Sequence, residues 1–300
     1  MYSIVDLQQL RVFVSIAQEG NLTKASSKLC LSQPAVSAQL KSLEEELNVK
    51  LFERNSRGMV PTNEGRVLLD EANKVLLAAK KVSTTARSFQ GEDLIGELRL
   101  GTISDPIILR LEEFFSRLIV QYPKLKLSMS QGISGDIIER VIEQRLDAGY
   151  VIGDVENSEL GCIKIAPVTL RVVAPLSYRD NLKEASWQDV ARLPWLSTPE
   201  KCSFRKITSK MFARHNVQPQ TLIEADQEST LVNLVTAGVG MTLLREDVAM
   251  AAEANGKLIV WNPGIEVSQL NFIYLLSEME NPMTQAILAV LSSVWNLPIP

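Results

Sequence analysis

Apolar residues recur at helical spacing through the first fifty positions. One stripe predicts a first helix and is formed by Leu10, Phe13, Val14 and Ala17. Gly20 is predicted to end this helix, and Thr23 to cap a second one. Ser32 is a favourable N-cap for a third helix, with Pro34 in its first turn. The third helix carries the stripe Val36, Leu40, Leu43 and Leu47.

Two short strands and a long helix are predicted next. Residues 51–54 and 59–61 flank a turn at 55–58, which is typical of a small two-stranded hairpin. From Thr62 a long helix carries a heptad seam: Leu68, Ala72, Val75, Ala79, Val82, Ala86 and Phe89. Such a seam favours pairing between helices of two subunits, and the alternative is one face of a buried helix. Residues 90–93 are predicted to be a hinge.

Beyond the hinge, predicted strands and helices alternate, which indicates an α/β domain with a largely parallel sheet. A first unit spans 98–152 and a second, similar unit spans 170–244. A strand at 270–276 and a helix at 282–296 then return to the first unit. Two such units predict a cleft between them, and ligands of open α/β sheets bind at the carboxyl ends of the strands.

Composition narrows the class of protein. The chain has 300 residues, of which 46% are hydrophobic and 22% charged, typical of a globular protein of two or three domains. Three cysteines do not make a disulfide scaffold, and one histidine excludes sites that need two imidazoles. No signal or membrane segment is recognised, so we expect a cytoplasmic protein without cofactor or metal.

Charge is unevenly divided between the two ends of the chain. The first 90 residues hold 12 Lys and Arg against 9 Asp and Glu, whereas the remaining 210 hold 19 against 26. A mildly basic head on an acidic body points to an anionic partner, such as nucleic acid, at the head.

Five segments of the head form an ordered pattern: Asn21–Leu29, Leu31–Leu40, Leu43–Leu47, Leu51–Arg54 and Pro61–Gly65. Together these segments resemble the winged helix-turn-helix of LysR-type transcriptional regulators. The resemblance implies an α/β fold class: an α-rich winged helix-turn-helix at 1–61, a linker and dimerisation helix at 62–91, and a two-lobed effector domain, akin to periplasmic binding proteins, at 92–300. Lobe I would comprise 92–167 and 269–300, and lobe II 168–268.

The same resemblance implies a double-stranded DNA operator as partner, read by the third helix in the major groove. Candidate DNA-binding residues are Ser32, Gln33, Pro34, Ala35, Ser37, Ala38, Lys41, Arg54 and Arg57. Gln33 and Ser37 suit base edges, whereas Lys41 suits a phosphate or is simply a solvated charge. Many relatives carry arginine where this chain has Ala38, which favours more reliance on DNA shape and on the avidity of a homo-oligomer.

For the cleft, the resemblance implies a small-molecule effector. Candidate contacts are Thr102, Ser104, Gln131, Ile133, Ser134, Ser197, Thr198, Ser203 and Gln227. Helix starts and hydroxyls suit a carboxylate, although Ser104, Asp105 and Ser134 could instead cap their helices. Asp105 would repel an anion, so an amino acid or a neutral effector is an equal alternative. The identity of the effector stays open.

Assembly and two competing classes complete the sequence-based picture. The resemblance implies a dimer of dimers and a contact with RNA polymerase. An enzyme is the first competitor, but the chain has no phosphate loop, dinucleotide fingerprint or nucleophile elbow. A DNA-binding protein that answers to no small molecule is the second. The thiols of Cys162 and Cys202 are interpreted as buried or incidental rather than as a redox pair.

Overall fold

A computed structural model of the chain describes residues 5–55, 58–88, 94–103 and 108–298, and for residues 77, 80, 81 and 83–88 it describes the backbone alone. The chain divides into two compact units, Met1–Glu92 and Asp93–Pro300. We describe each unit by itself.

The first unit is a three-helix head with a hairpin and a long helix. Its elements are α1 (Leu7–Glu19), α2 (Leu22–Leu29), α3 (Gln33–Leu47), β1 (Phe52–Asn55), β2 (Gly58–Pro61) and α4 (Asn63–Ser88). Gly20 ends α1 with a φ of 61°, as predicted. Asn21, not Thr23, caps α2, because its side chain accepts from the backbone N–H groups of Thr23 and Lys24. The strands β1 and β2 pair antiparallel, as predicted.

The core of the head draws on α1, α3, β1 and α4. The predicted stripes of α1 and α3 lie in it or against it, and Phe13 meets Phe52 edge-on with ring centroids 5.5 Å apart. Ala72 is buried in this core and Leu68 packs against it. The predicted intersubunit seam is therefore wrong at its first two positions, because α4 uses that face to close its own head.

The later seam positions lie differently. Val75 and Val82 are 46% and 71% exposed, and Val67 is also exposed. Ala79 is half-buried. The side chain of Ala86 and the whole of Phe89 lie outside the described residues. The solvent-facing side of α4 therefore carries valines at 67, 75 and 82.

The second unit contains eight strands and seven helices among its described residues. Its strands are β3 (Gly96–Thr102), β4 (Leu125–Gln131), β5 (Ala148–Ile152), β6 (Leu160–Ala174), β7 (Pro194–Ser197), β8 (Gln220–Glu224), β9 (Thr242–Arg245) and β10 (Ile259–Leu275). Its helices are α5 (Leu111–Gln121), α6 (Ser134–Ile142), α7 (Trp187–Ala191), α8 (Ser203–Ala213), α9 (Glu228–Thr236), α10 (Glu246–Ala254) and α11 (Pro282–Trp295).

A six-stranded sheet with the order β4-β3-β5-β10-β6-β9 runs through this unit, and β7 pairs with β8. The pairs β3–β4, β3–β5 and β7–β8 are parallel, whereas β10 runs antiparallel to β5 and β6, and β6 antiparallel to β9. The expectation of a largely parallel sheet is thus wrong: the sheet is mixed, because two long strands return across it.

Hydrophobic cores lie on both sides of these long strands. One core draws on residues 94–160 and 270–294, and we call this part lobe I. Two further cores draw on residues 170–261, and we call that part lobe II. Strands β6 and β10 pass through both lobes and pair with each other along most of their length. Their register shifts between Leu270 and Asn271, beside the passage from one lobe to the other.

Candidate DNA-reading surface and effector cavity

The third helix presents a polar face while its apolar face holds it in the head. Val36, Leu40 and Leu43 are buried. The Ser32 hydroxyl accepts from the Ala35 N–H at 3.3 Å, so it caps α3 as predicted. The remaining candidates on this helix are exposed, except for the half-buried Ala35: Gln33, Pro34, Ser37, Ala38 and Lys41.

Two candidate side chains on α3 already have polar neighbours. The Gln33 Oε1 accepts from the Thr23 hydroxyl of α2 at 3.5 Å, which turns the amide toward the start of both helices. Lys41 pairs with Glu45 at 3.4 Å, with both side chains largely exposed. Such a surface pair is worth at most about 1 kcal/mol. Lys41 can therefore exchange Glu45 for a phosphate at little cost.

The hairpin is tied to α3 by a residue that the sequence did not reveal. The Glu44 carboxylate accepts from the backbone N–H groups of Leu51 and Phe52, at 2.7 and 3.4 Å. This contact sets where β1 begins relative to α3. Arg54 lies exposed on β1, whereas Arg57 lies outside the described residues.

A cavity of about 50 Å³ lies between lobe I and lobe II. From lobe I it is lined by Ile103, Gly132, Ile133, Ser134 and Ile152. From lobe II it is lined by Thr198, Cys202, Ser203, Phe204, Asp226, Glu228, Leu231 and Arg245. Four predicted effector contacts, at 133, 134, 198 and 203, meet here. They come from the two lobes in equal number.

Three hydroxyls of this lining differ in their partners. The Ser134 Oγ accepts from the Ile152 N–H at 3.1 Å and lies 3.3 Å from the Ser203 Oγ, so it joins the lobes rather than capping α6. Thr198 is 6% exposed. Its Oγ1 has no hydrogen-bond partner among the described residues.

The wall from lobe II carries a buried ion pair. The Arg245 guanidinium is bound by Glu228 at 3.0 Å and by both oxygens of Asp247, at 3.1 and 3.0 Å. Glu228 also accepts from the Arg245 backbone N–H at 3.0 Å. Burial favours the neutral form of Asp247, yet the hydrogen bond and charge of Arg245 outweigh it, and the pKa of Asp247 is lowered. Asp226 lies exposed at the cavity's edge.

Four predicted effector contacts do not line this cavity. Thr102 is buried within lobe I, whereas Gln131 and Gln227 are exposed, and none of the three lines the cavity. Ser197 lines a different cavity, where its hydroxyl is bound by Arg205. Ser104 lies outside the described residues, as does Asp105.

The charged residues of the wall were missed from sequence. Asp226, Glu228 and Arg245 come together because β9 and the start of α9 meet behind the cavity. The sequence signal for an ion pair was that β9 ends in Arg245, directly before Glu246 and Asp247. This signal does not indicate which carboxylate binds Arg245.

The cysteines and the histidine build no further site in the described residues. Cys30 and Cys162 are exposed and Cys202 is half-buried, so of the two thiols interpreted as buried or incidental, that of Cys162 is not buried. Partial desolvation raises the pKa of the Cys162 thiol, which lowers its nucleophilicity at neutral pH. No group of three potential metal ligands occurs in the described part of the chain. Nor does any described helix have the length and apolar character needed to cross a membrane.

Two family models match the chain. Residues 7–66 match the bacterial regulatory helix-turn-helix protein model of the lysR family, and residues 91–296 match the LysR substrate binding domain. The chain is 29% identical to the HTH-type transcriptional regulator YofA of Bacillus velezensis, over 78% of this chain and 79% of that one. It is 26% identical to the HTH-type transcriptional regulator CzcR of Bacillus thuringiensis, over 85% and 83%.

Solved structures show the same fold. Full-length CbnR in complex with its target DNA is 20% identical, with a TM-score of 0.64, covering 97% of this chain and 99% of that one. ArgP of Mycobacterium tuberculosis is 14% identical, with a TM-score of 0.68 and 97% coverage of each chain. The head, the two-lobed body and both family matches agree, and the chain belongs to the LysR family of DNA-binding transcriptional regulators, which are not enzymes.

Proposed function

We propose that α3 reads the operator through Gln33 and Ser37, with Lys41 and the hairpin arginines Arg54 and Arg57 on the phosphates. The observation that carries this proposal is the exposed polar face of α3, held outward by buried Val36, Leu40 and Leu43. An amide suits the edge of adenine, and a hydroxyl suits either a base or a phosphate. Pro34 and Ala35 offer apolar contact to thymine methyl groups.

The interlobe cavity would take the effector. Lobes joined by β6 and β10 can close or twist about these strands, and the shifted register at Leu270 and Asn271 supplies a break in the ladder. A ligand biases closure only by its difference in affinity for the two conformations, typically about 1–3 kcal/mol. Lobe closure would change the spacing of the DNA-binding heads in the oligomer, and with it the bend of the DNA.

Assembly into a homo-oligomer, a dimer of dimers, is supported by apolar surface that one chain leaves uncovered. Val67, Val75 and Val82 form such a surface on α4. Exposed Val120 on α5 and Leu222 on β8 add two more places on the body. Isolated apolar side chains are ordinary, but a row along one helix marks a contact surface. We place this oligomer on DNA in the cytoplasm, with RNA polymerase as the protein partner.

The experiment begins by sequencing the DNA that co-purifies with the protein from its own cell, which defines the operator. Fluorescence anisotropy then compares Gln33→Ala with the parent on operator and random DNA. We expect a loss of about 1–3 kcal/mol on the operator, roughly five- to hundredfold, and little loss on random DNA. Gln18→Ala, an exposed glutamine of α1, is the matched control. An unchanged ratio of specific to random binding in Gln33→Ala refutes the assignment.

A further inference from the structure

The Thr198 hydroxyl is the starting observation, because burial without a hydrogen bond is costly. The residue is 6% exposed, it lines the interlobe cavity, and its Oγ1 has no partner within the described residues. A buried hydroxyl without a partner loses about 1–3 kcal/mol. In a cavity lining, such a hydroxyl is ready to bind a polar group that enters from solvent.

Three helices begin at the same cavity. Their first residues, Ser134 of α6, Ser203 of α8 and Glu228 of α9, all line it. None of the three residues that precede these helices, all within the described range, makes a capping hydrogen bond with its side chain. First-turn N–H groups and the helix dipole favour an anionic group. The Gly135 N–H in the first turn of α6 already donates to the Lys201 carbonyl oxygen. The field of the two helix starts, α6 in lobe I and α8 in lobe II, still favours one carboxylate between the lobes.

The charge of the lining argues against a ligand that is only an anion. Among the ionisable side chains that line the described cavity, Asp226 and Glu228 are acidic and Arg245 is basic. Arg245 is already bound by Glu228 and, through two of its nitrogens, by Asp247. A purely anionic ligand would add charge of the same sign as this wall. A cationic group near Asp226 would meet charge of the opposite sign.

We propose that the effector is a small zwitterion of the amino-acid class. Its carboxylate would lie at the starts of α6 and α8, within reach of the Thr198 and Ser134 hydroxyls, and its ammonium would face Asp226. The inference rests on the proposed function of the cavity. A volume of about 50 Å³ corresponds to about four water-sized positions, so the smallest amino acids fit this conformation best.

The first arm of the test is a thermal-shift titration of the full chain with glycine, L-alanine and L-serine. Each amino acid has two matched analogues: a hydroxy acid that carries a hydroxyl in place of the ammonium (glycolate, L-lactate, L-glycerate) and an amine that lacks the carboxylate (methylamine, ethylamine, ethanolamine). We expect at least one amino acid to raise the unfolding temperature. Its two analogues should require at least tenfold higher concentration for the same shift.

The second arm uses variants of the cavity wall. Asp226→Asn and Thr198→Val should each weaken binding of the effective amino acid at least fivefold. Thr198→Val should leave the unliganded protein at least as stable as the parent, because the lost hydroxyl has no partner to abandon. Asp180→Asn changes an exposed aspartate of lobe II that pairs with Lys183, and it serves as the matched control with parental affinity.

Three results overturn the proposal: no shift with any of the three amino acids, a hydroxy acid that binds as well as its amino acid, or variants that behave like Asp180→Asn. Operator binding is measured on the same preparation. Intact operator binding with an overturned ligand class leaves the regulatory function standing and removes only the zwitterion. A parent protein that lacks sequence-specific DNA binding would instead refute the proposed function itself.

Discussion

Gly135 lies at the contact between lobe I and lobe II, and a larger side chain at this position would separate the two lobes. Its backbone N–H donates to the Lys201 carbonyl oxygen at 3.0 Å, from α6 to the segment before α8. A Cβ added at this position would lie 2.5 Å from that oxygen and 2.7 Å from the Lys201 Cβ. The carbonyl belongs to the backbone and cannot rotate away. Gly135→Ala must therefore separate the lobes locally by about 1 Å to reach ordinary van der Waals contact.

The magnitude follows from three contributions. The lost hydrogen bond costs about 0.5–1.5 kcal/mol, and overpacking costs about 1–3 kcal/mol. Alanine also lowers the conformational entropy of the unfolded chain, which stabilises the folded protein by about 0.4–1 kcal/mol. We expect the interlobe contact to be weaker by about 1–3 kcal/mol. Since 1.4 kcal/mol is tenfold in an equilibrium constant, amide exchange in the contact should accelerate by roughly five- to hundredfold.

Hydrogen–deuterium exchange read by mass spectrometry measures this loss locally, which matters because a two-unit chain does not unfold as one two-state system. Peptides covering 199–206 and 133–140 report on the contact, and peptides of the head report on general damage. Gly132→Ala is the matched control, because its added Cβ would lie 3.7 Å from the Ile137 Cγ1, an ordinary contact. Equal exchange in Gly135→Ala and Gly132→Ala would refute the reasoning.

Two further predictions concern assembly and the buried ion pair. Val82→Glu should dissociate the oligomer in light scattering while the circular dichroism spectrum of the folded chain stays at the parental level, because Val82 is 71% exposed. Ala72→Glu should instead unfold the head, where Ala72 is 3% exposed. Arg245→Met should cost about 3–5 kcal/mol in chemical denaturation, because it leaves the Glu228 carboxylate, whose side chain is only 14% exposed, without its cation. The lowered pKa of Asp247 means that its stabilisation is complete above its ordinary pKa of 3.8 and is lost as pH falls through the lower folded value. Acid titration followed by circular dichroism should show this loss of stability at low pH in the parent. The same titration of Arg245→Met should not show it.

The head could be predicted closely because its signals are local. A capping serine at 32, a helix-ending glycine at 20 and stripes of four residues each determine structure within a single turn or helix. The error at Thr23 has the same origin: Asn21 and Thr23 are both good caps two positions apart, and periodicity does not choose between them. Residues 68 and 72 were misassigned for a different reason. One heptad cannot distinguish packing against the chain's own head from packing against a second chain.

The body was predicted in its order of elements but not in its sheet. Strands β6 and β10 are much longer than the runs at 170–174 and 270–276 that indicated them. Residues 162–169 and 265–269 of these strands are exposed or half-buried, because they cross the narrow join between the lobes, where neither core covers them fully. Pro167 in β6 and Pro263 in β10 further obscured the pattern, since proline argues against a central strand. The antiparallel pairing followed from these crossings and could not be inferred from periodicity.

The cavity, too, contains residues that could be predicted from the sequence and residues that could not. Ser134, Thr198 and Ser203 were named because the resemblance implied contacts near strand–helix junctions, where hydroxyls and free N–H groups lie together. The ion pair of Arg245 with Glu228 joins β9 to α9 across 17 positions, and no local pattern marks it. Yet this pair, with Asp247, sets the sign of the charge that a ligand meets. Hydroxyls at helix starts suit a carboxylate in any two-lobed domain, whereas the paired arginine and the nearby Asp226 make a second, opposite charge on the ligand favourable in this one.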